Sequence, residues 1–206
     1  MTSQADSAVP TLTLAVTAGE GDFPGFASLL GKGVGLCVQV GGSIRELLCG
    51  QLGLPPAYLE QRLQTIFLDG QPVDDLDSTR VTAGATLALS AALPGLAGAT
   101  LRRGGGFAPL RKTITHDSDR ACAGAGAGTI TLKLFNMTAR ELGPVLLQRG
   151  VQVTGTDLAA FLRKLPEGFW KRCPHAVFNA TEIPTGRLLK MSWPEGALLL
   201  RITGAG

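Results

Sequence analysis

A chain of 206 residues, 45% hydrophobic and 17% charged, has enough apolar content for one large core or two small ones, which excludes a generally disordered polymer. No apolar run reaches the ~18 residues a membrane helix needs, and the opening MTSQADSAVP lacks the basic-then-apolar order of a signal peptide, so a cytoplasmic setting is expected. The net charge of +3 conceals opposed halves, −5 over residues 1–93 and +8 over residues 94–206.

Such halves suit docking on each other, or a basic half that meets an anionic partner. Nucleic acid is not the expected partner, because a base-stacking surface interleaves aromatics with its cations and this basic half does not. Cys37, Cys49, Cys122 and Cys173 are widely spaced with no C-x-x-C pair, and read as reduced, buried or incidental thiols.

Residues 1–10 read as a flexible lead. Thr11 to Val16 alternates as a strand should. The glycine-rich stretch Thr17 to Gly35 reads as a loop with a short helical turn around Phe26 to Leu30. Leu36 to Val40 supplies a second strand, broken by Gly41-Gly42. Ser43 is then a natural N-cap for a helix with Ile44, Leu47, Leu48 and Leu52 on one face. A third strand begins at Ile66. Asp69-Gly70 predicts a tight type I′ turn, because both central residues need positive φ. Val81 to Ala85 predicts a second turn, and Thr86 to Leu89 a strand.

Residues 94–128 contain ten glycines and prolines and read as a Gly-rich basic linker, with Ala121 to Gly128 low in complexity. After it the pattern begins again. Thr129 to Leu134 echoes Thr11 to Leu14, and Leu146 to Val151 echoes Leu29 to Val34. Thr156 or Asp157 is expected to cap a helix carrying Leu158, Phe161, Leu162 and Leu165. Val177 to Ile183 matches Phe67 to Val73, with Asn in place of Asp at the turn. Glu195 to Leu200 matches Ala83 to Ala88. The matched order predicts an internal duplication and an α+β fold of two tandem domains, 11–93 and 129–204, each a mixed sheet with one main helix.

The residues Ile66 to Val73, Val81 to Leu89 and the glycine-rich exit resemble the ubiquitin-like β-grasp fold, above all the small sulfur carriers of molybdopterin and thiamine biosynthesis. Leu101-Arg102-Arg103-Gly104-Gly105 is similar to ubiquitin's own ending. The resemblance implies two β-grasp domains. It also implies a protein partner, an adenylating or biosynthetic enzyme, that activates a terminal Gly-Gly carboxylate. Glycine is demanded there because a side chain would block a narrow channel. Here Gly104-Gly105 is internal and the terminus is Gly204-Ala205-Gly206, so carrier chemistry would require cleavage after Gly105 or acceptance of Ala205.

The residues themselves favour a non-enzymatic interaction module. Leu101, Arg102, Arg103, Gly104, Gly105 and Arg111, with Lys112, Phe107 and Leu110 nearby, form the expected partner-binding segment within 94–112. No P-loop is present, since Gly104-Gly105-Gly106 lacks the lysine and hydroxyl residue at the required offsets. His116-Asp117-Ser118-Asp119 and the Cys173/His175 pair lack metal-ligand spacing, so no metal or cofactor is expected. Nothing resembles a nucleophile elbow, so no catalytic residue is assigned. Phe169, Trp170 and Trp193 are expected to seal the second core. Exposed sheet edges could accept a partner strand.

Overall fold

The computed structural model describes residues 10–16, 23–91, 95–106, 126–173 and 175–204. Residues 1–9 of the expected lead 1–10, and residues 121–125 of the low-complexity stretch Ala121 to Gly128, lie outside these residues. In chain order the elements are β1 (Thr11–Val16), α1 (Phe23–Lys32), β2 (Val34–Val40), a π-helical turn (Glu46–Gln51), α2 (Pro56–Gln61), β3 (Thr65–Leu68), β4 (Gln71–Pro72), β5 (Thr86–Ser90) and α3 (Gly95–Leu101). There follow β6 (Gly126–Phe135), α4 (Asn136–Arg149), β7 (Val151–Thr154), α5 (Gly155–Lys164), α6 (Glu167–Lys171), β8 (His175–Phe178), β9 (Thr181–Glu182), α7 (Thr185–Leu188) and β10 (Ala197–Gly204).

The class is α+β, but the expectation of two separate tandem β-grasp domains is wrong. The strands form a mixed sheet whose pairing cuts across the supposed boundary. The chain divides instead into a contiguous unit, residues 30–143, and a split unit, residues 1–29 with 144–206. β1, from the N-terminal half, pairs in parallel with β10 and antiparallel with β8. β6, from the C-terminal half, pairs in parallel with β5 and antiparallel with β2. The first strand of each half is therefore built into the other half's sheet.

In the contiguous unit the strand order is β4-β3-β5-β6-β2. Alternation places Ile66, Leu68, Leu87, Leu89, Ile130, Leu132 and Leu134 in the interior, with Ile44, Leu47, Leu48, Leu59 and Leu63 from the helical segment also buried. Ser43 caps that segment as expected. Its Oγ accepts the Glu46 N–H at 3.1 Å while Glu46 Oε2 accepts the Ser43 N–H at 2.7 Å, a reciprocal capping box. Further along, the Leu52 N–H bonds to the Leu47 carbonyl at 2.9 Å, which widens the turn. The widened turn brings Gln51 to β2. Its amide accepts the Gln39 N–H at 2.7 Å and donates to the Gln39 carbonyl at 2.8 Å, as a neighbouring strand would.

In the split unit the order is β7-β10-β1-β8-β9. Leu12, Leu14, Val151, Val153, Ala176, Leu198 and Leu200 are buried with Leu158, Phe161, Leu162 and Phe169. Thr154, not Thr156 or Asp157, caps α5. It is the last extended residue (φ −78°, ψ 156°), and its Oγ1 accepts the Asp157 N–H at 3.1 Å. Phe169 is fully buried and meets Trp170 edge-on at 5.3 Å, while Phe178 meets Trp193 edge-on at 5.4 Å.

Three helices are longer or more regular than the sequence suggests. α1 spans ten residues despite Gly25 and Gly31, because Leu29 and Leu30 are buried and repay the loss of helix propensity. α4 runs fourteen residues with Pro144 inside it. α3 occupies part of the stretch read as linker.

Candidate functional site

The expected partner-binding residues are the end of α3 and the turn that follows. Leu101 is half-buried in the last turn of the helix, and Arg102 is exposed. Gly104 has φ +61°, a left-handed conformation that stops the helix, and the Gly105 N–H returns to the Arg102 carbonyl at 3.1 Å. Leu101 to Gly105 is thus a closed helix terminus and not an extended tail. Arg111, Lys112, Phe107 and Leu110 lie outside the described residues.

Arg103 is bound at three points. Its backbone N–H donates to the Gln64 carbonyl at 2.7 Å. One guanidinium nitrogen donates to the Leu59 carbonyl at 2.6 Å and sits 3.3 Å from Glu60 Oε2. The side chain is only 12% exposed, against 52% for Glu60. The next residue adds a fourth point, since the Gly104 N–H donates to Asp74 Oδ1 at 3.2 Å.

The acceptors are held by their own surroundings. Pro56 starts α2 after an extended Pro55, which presents the carbonyls at the helix C-terminal end where partners are needed. Glu60 is also 2.9 Å from Arg45, which forks to Asp77 at 2.7 Å. The bond to Asp77, then the bond to Glu60, raise the Arg45 pKa further. Asp75 folds the acidic loop, accepting from the Asp77 N–H at 2.9 Å and the Ser78 N–H at 3.2 Å. Ser78 chiefly, with the two backbone donors, lowers the Asp75 pKa.

A second polar cluster joins α2 to α4. The Tyr58 hydroxyl donates to Glu141 Oε2 at 2.6 Å, and Arg62 pairs with Glu141 Oε1. Burial first, then the carboxylate, raise the Tyr58 pKa, so the phenol is a neutral donor and not a base. The bond from Arg62, then that from Tyr58, lower the Glu141 pKa. The cluster is a tether.

His175 Nδ1 lies 2.7 Å from Glu182 Oε1 in an exposed cross-strand pair. The buried Cys173 thiol points to the His175 carbonyl at 3.6 Å, and burial raises its pKa, which disfavours the thiolate. His116 to Asp119 and Cys122 lie outside the described residues. Among the described residues no group of three His, Cys, Asp or Glu side chains could hold a metal ion, and no helix is long and apolar enough to cross a membrane.

The sequence singled out Arg103 and Gly104 but not what receives them. Two of the four acceptors, on Leu59 and Gln64, are backbone carbonyls, which carry no side-chain signature. The acidic run Asp74-Asp75 and Asp77, opposite in sign to Arg102-Arg103, was the available signal. No family model matches the chain, and no curated protein or solved structure shows significant similarity to it.

Proposed function

We propose that the protein is a non-enzymatic interaction module whose contact is the basic segment 94–112, with Arg102 as its exposed cation and an acidic protein surface as its partner. The observation that carries this is the difference in exposure between two adjacent arginines. Arg103 anchors the turn through Leu59, Glu60 and Gln64, while Arg102 stands exposed beside it. Gly104 permits the left-handed turn and the Arg103 contacts hold it, so less ordering entropy is lost on binding than in an undocked segment.

The alternative is a sulfur or acyl carrier released by cleavage after Gly105. It draws less support, because β6 begins at Gly126 and lies between β5 and β2. A chain ending at Gly105 would lack a central strand of the contiguous unit. Intact mass from the native host separates the readings, since the carrier predicts a species ending at Gly105 or a terminal thiocarboxylate.

The interaction reading is tested with a glutamate-rich peptide at low salt, followed by fluorescence anisotropy. Arg102→Glu should weaken binding about tenfold, the worth of one charge-assisted bond. Arg187→Glu, an exposed charge in the split unit, is the matched control. Equal losses in both variants would mean diffuse electrostatics and would sink the assignment.

A further inference from the structure

We propose that the contiguous unit carries a receptor site for an arginine–glycine segment, filled in this structure by the chain's own Arg103 and Gly104. The site is made of the Leu59 and Gln64 carbonyls with the Glu60 and Asp74 carboxylates. It reads a guanidinium through Leu59 and Glu60, and the arginine's own backbone N–H through Gln64. The amide that follows is read through Asp74. Each acceptor meets a donor of matching kind, and two of the four carry charge, which is the pattern of a specific guanidinium site.

The residue after arginine is selected by conformation and not by space. A Cβ at Gly104 would meet nothing within 4 Å, yet φ +61° is strained for any side chain. Glycine is therefore the favoured residue there. Arg149-Gly150, the other such pair in the sequence, begins at the end of α4 and is not free to enter the site.

Because the cis segment is tethered, its effective concentration is high, and an outside segment must displace it. The ligand class is thus a protein segment with arginine followed by glycine, binding in trans when residues 101–105 undock. This inference does not depend on Arg102 meeting an acidic partner, and its test leaves Arg102 unchanged in the protein.

The test uses the full-length chain and a labelled acetyl-Leu-Arg-Arg-Gly-Gly-amide peptide. Arg103→Ala vacates the guanidinium positions at Leu59 and Glu60, leaving the cis segment held only by its backbone, and should bind the peptide at least about tenfold more tightly than the wild type. Adding Glu60→Gln to Arg103→Ala should remove about that factor, and a peptide with alanine for its second arginine should bind as poorly. Failure of Arg103→Ala to bind, or indifference to Glu60→Gln, overturns the proposal.

A second readout covers the case in which Arg103→Ala does not fold. In an otherwise wild-type chain, Glu60→Gln should speed tryptic cleavage after Arg103 several-fold, since docking hides that bond. An unchanged rate overturns the proposal as well. Mixing Arg103→Ala with Glu60→Gln chains then identifies the source. A heterodimer in sedimentation assigns the trans segment to a second copy, and monomers that still bind the peptide assign it to another protein.

Discussion

The two units solve one problem with opposite strands. In each, a short antiparallel hairpin (β3/β4 or β8/β9) pairs with one member of a central parallel pair, and the strand before the helical segment pairs with the other. In the contiguous unit the member beside the hairpin is β5, the last strand of the N-terminal half. In the split unit it is β1, the first strand of that same half. The hairpin turns make the equivalence concrete. Asp69 Oδ1 accepts the Thr86 N–H at 2.7 Å, and Asn179 Oδ1 accepts the Thr11 N–H at 2.9 Å. The turn residue's own N–H returns to the same threonine in each case, at 2.9 Å. A position in the sheet is therefore defined by its hydrogen-bond partners and not by its order in the chain, which is how an alternating strand can serve either role.

The largest effect should come from breaking the central pair. Leu14 and Leu132 are both buried, and truncation to alanine should cost roughly 2–5 kcal/mol at either site. The two tryptophans, Trp170 and Trp193, both lie in the split unit, and so does Leu14. Leu14→Ala should lower the denaturation midpoint reported by tryptophan fluorescence more than Leu132→Ala does. Tandem domains would give the reverse, because Leu132 shares a half with both tryptophans. That reverse order would refute the exchange.

Much of each half was legible because its signals are local. Alternation located β1, β2, β5, β6 and β7 to within a few residues, and Asp69-Gly70 announced its turn. The echo of Leu29 to Val34 by Leu146 to Val151 falls at the ends of α1 and α4, in matching places. The exchange was not legible, since alternation says which face of a strand is buried but not which neighbour it takes. α1 was hidden by its glycines, because burial of Leu29 and Leu30 outweighs intrinsic propensity. At the site, Leu101 to Gly105 stood out by composition. Its receptor did not, because Leu59 and Gln64 contribute only backbone.

A smaller effect sharpens the comparison at the turns. The contiguous unit has Asp69 at φ 51° followed by Gly70 at φ 80°, whereas the split unit has Asn179 at φ 47° followed by Ala180 at φ 63°. The pair Asn-Ala spends left-handed strain that Asp-Gly avoids. Ala180→Gly should therefore stabilise the split unit by about 1 kcal/mol, and Gly70→Ala should destabilise the contiguous unit by a similar amount. Thermal denaturation of the two variants checks this, and shifts of the same sign would contradict it.

The smallest effect concerns acid. The contiguous unit ties α2 to α4 through Tyr58, Glu141 and Arg62, while on the split unit's α6 Lys171 and Glu167 form an exposed pair within the helix. Glu141 has its folded pKa lowered, first by Arg62 and then by Tyr58, so its contribution is present above the unfolded value of 4.5 and is lost as pH falls through the folded value. Tyr58 runs the other way. Its folded pKa is raised above 10, so its contribution is present below pH 10 and is lost as pH rises through the folded value. Glu141→Gln should cost below about 1 kcal/mol near neutrality, because the pair is partly exposed. It should also flatten the acid limb of stability against pH. Tyr58→Phe removes the ionisable phenol and should flatten the alkaline limb. An acid limb unchanged by Glu141→Gln would mean that the tether adds nothing to folding and that other carboxylates set the acid sensitivity of the protein.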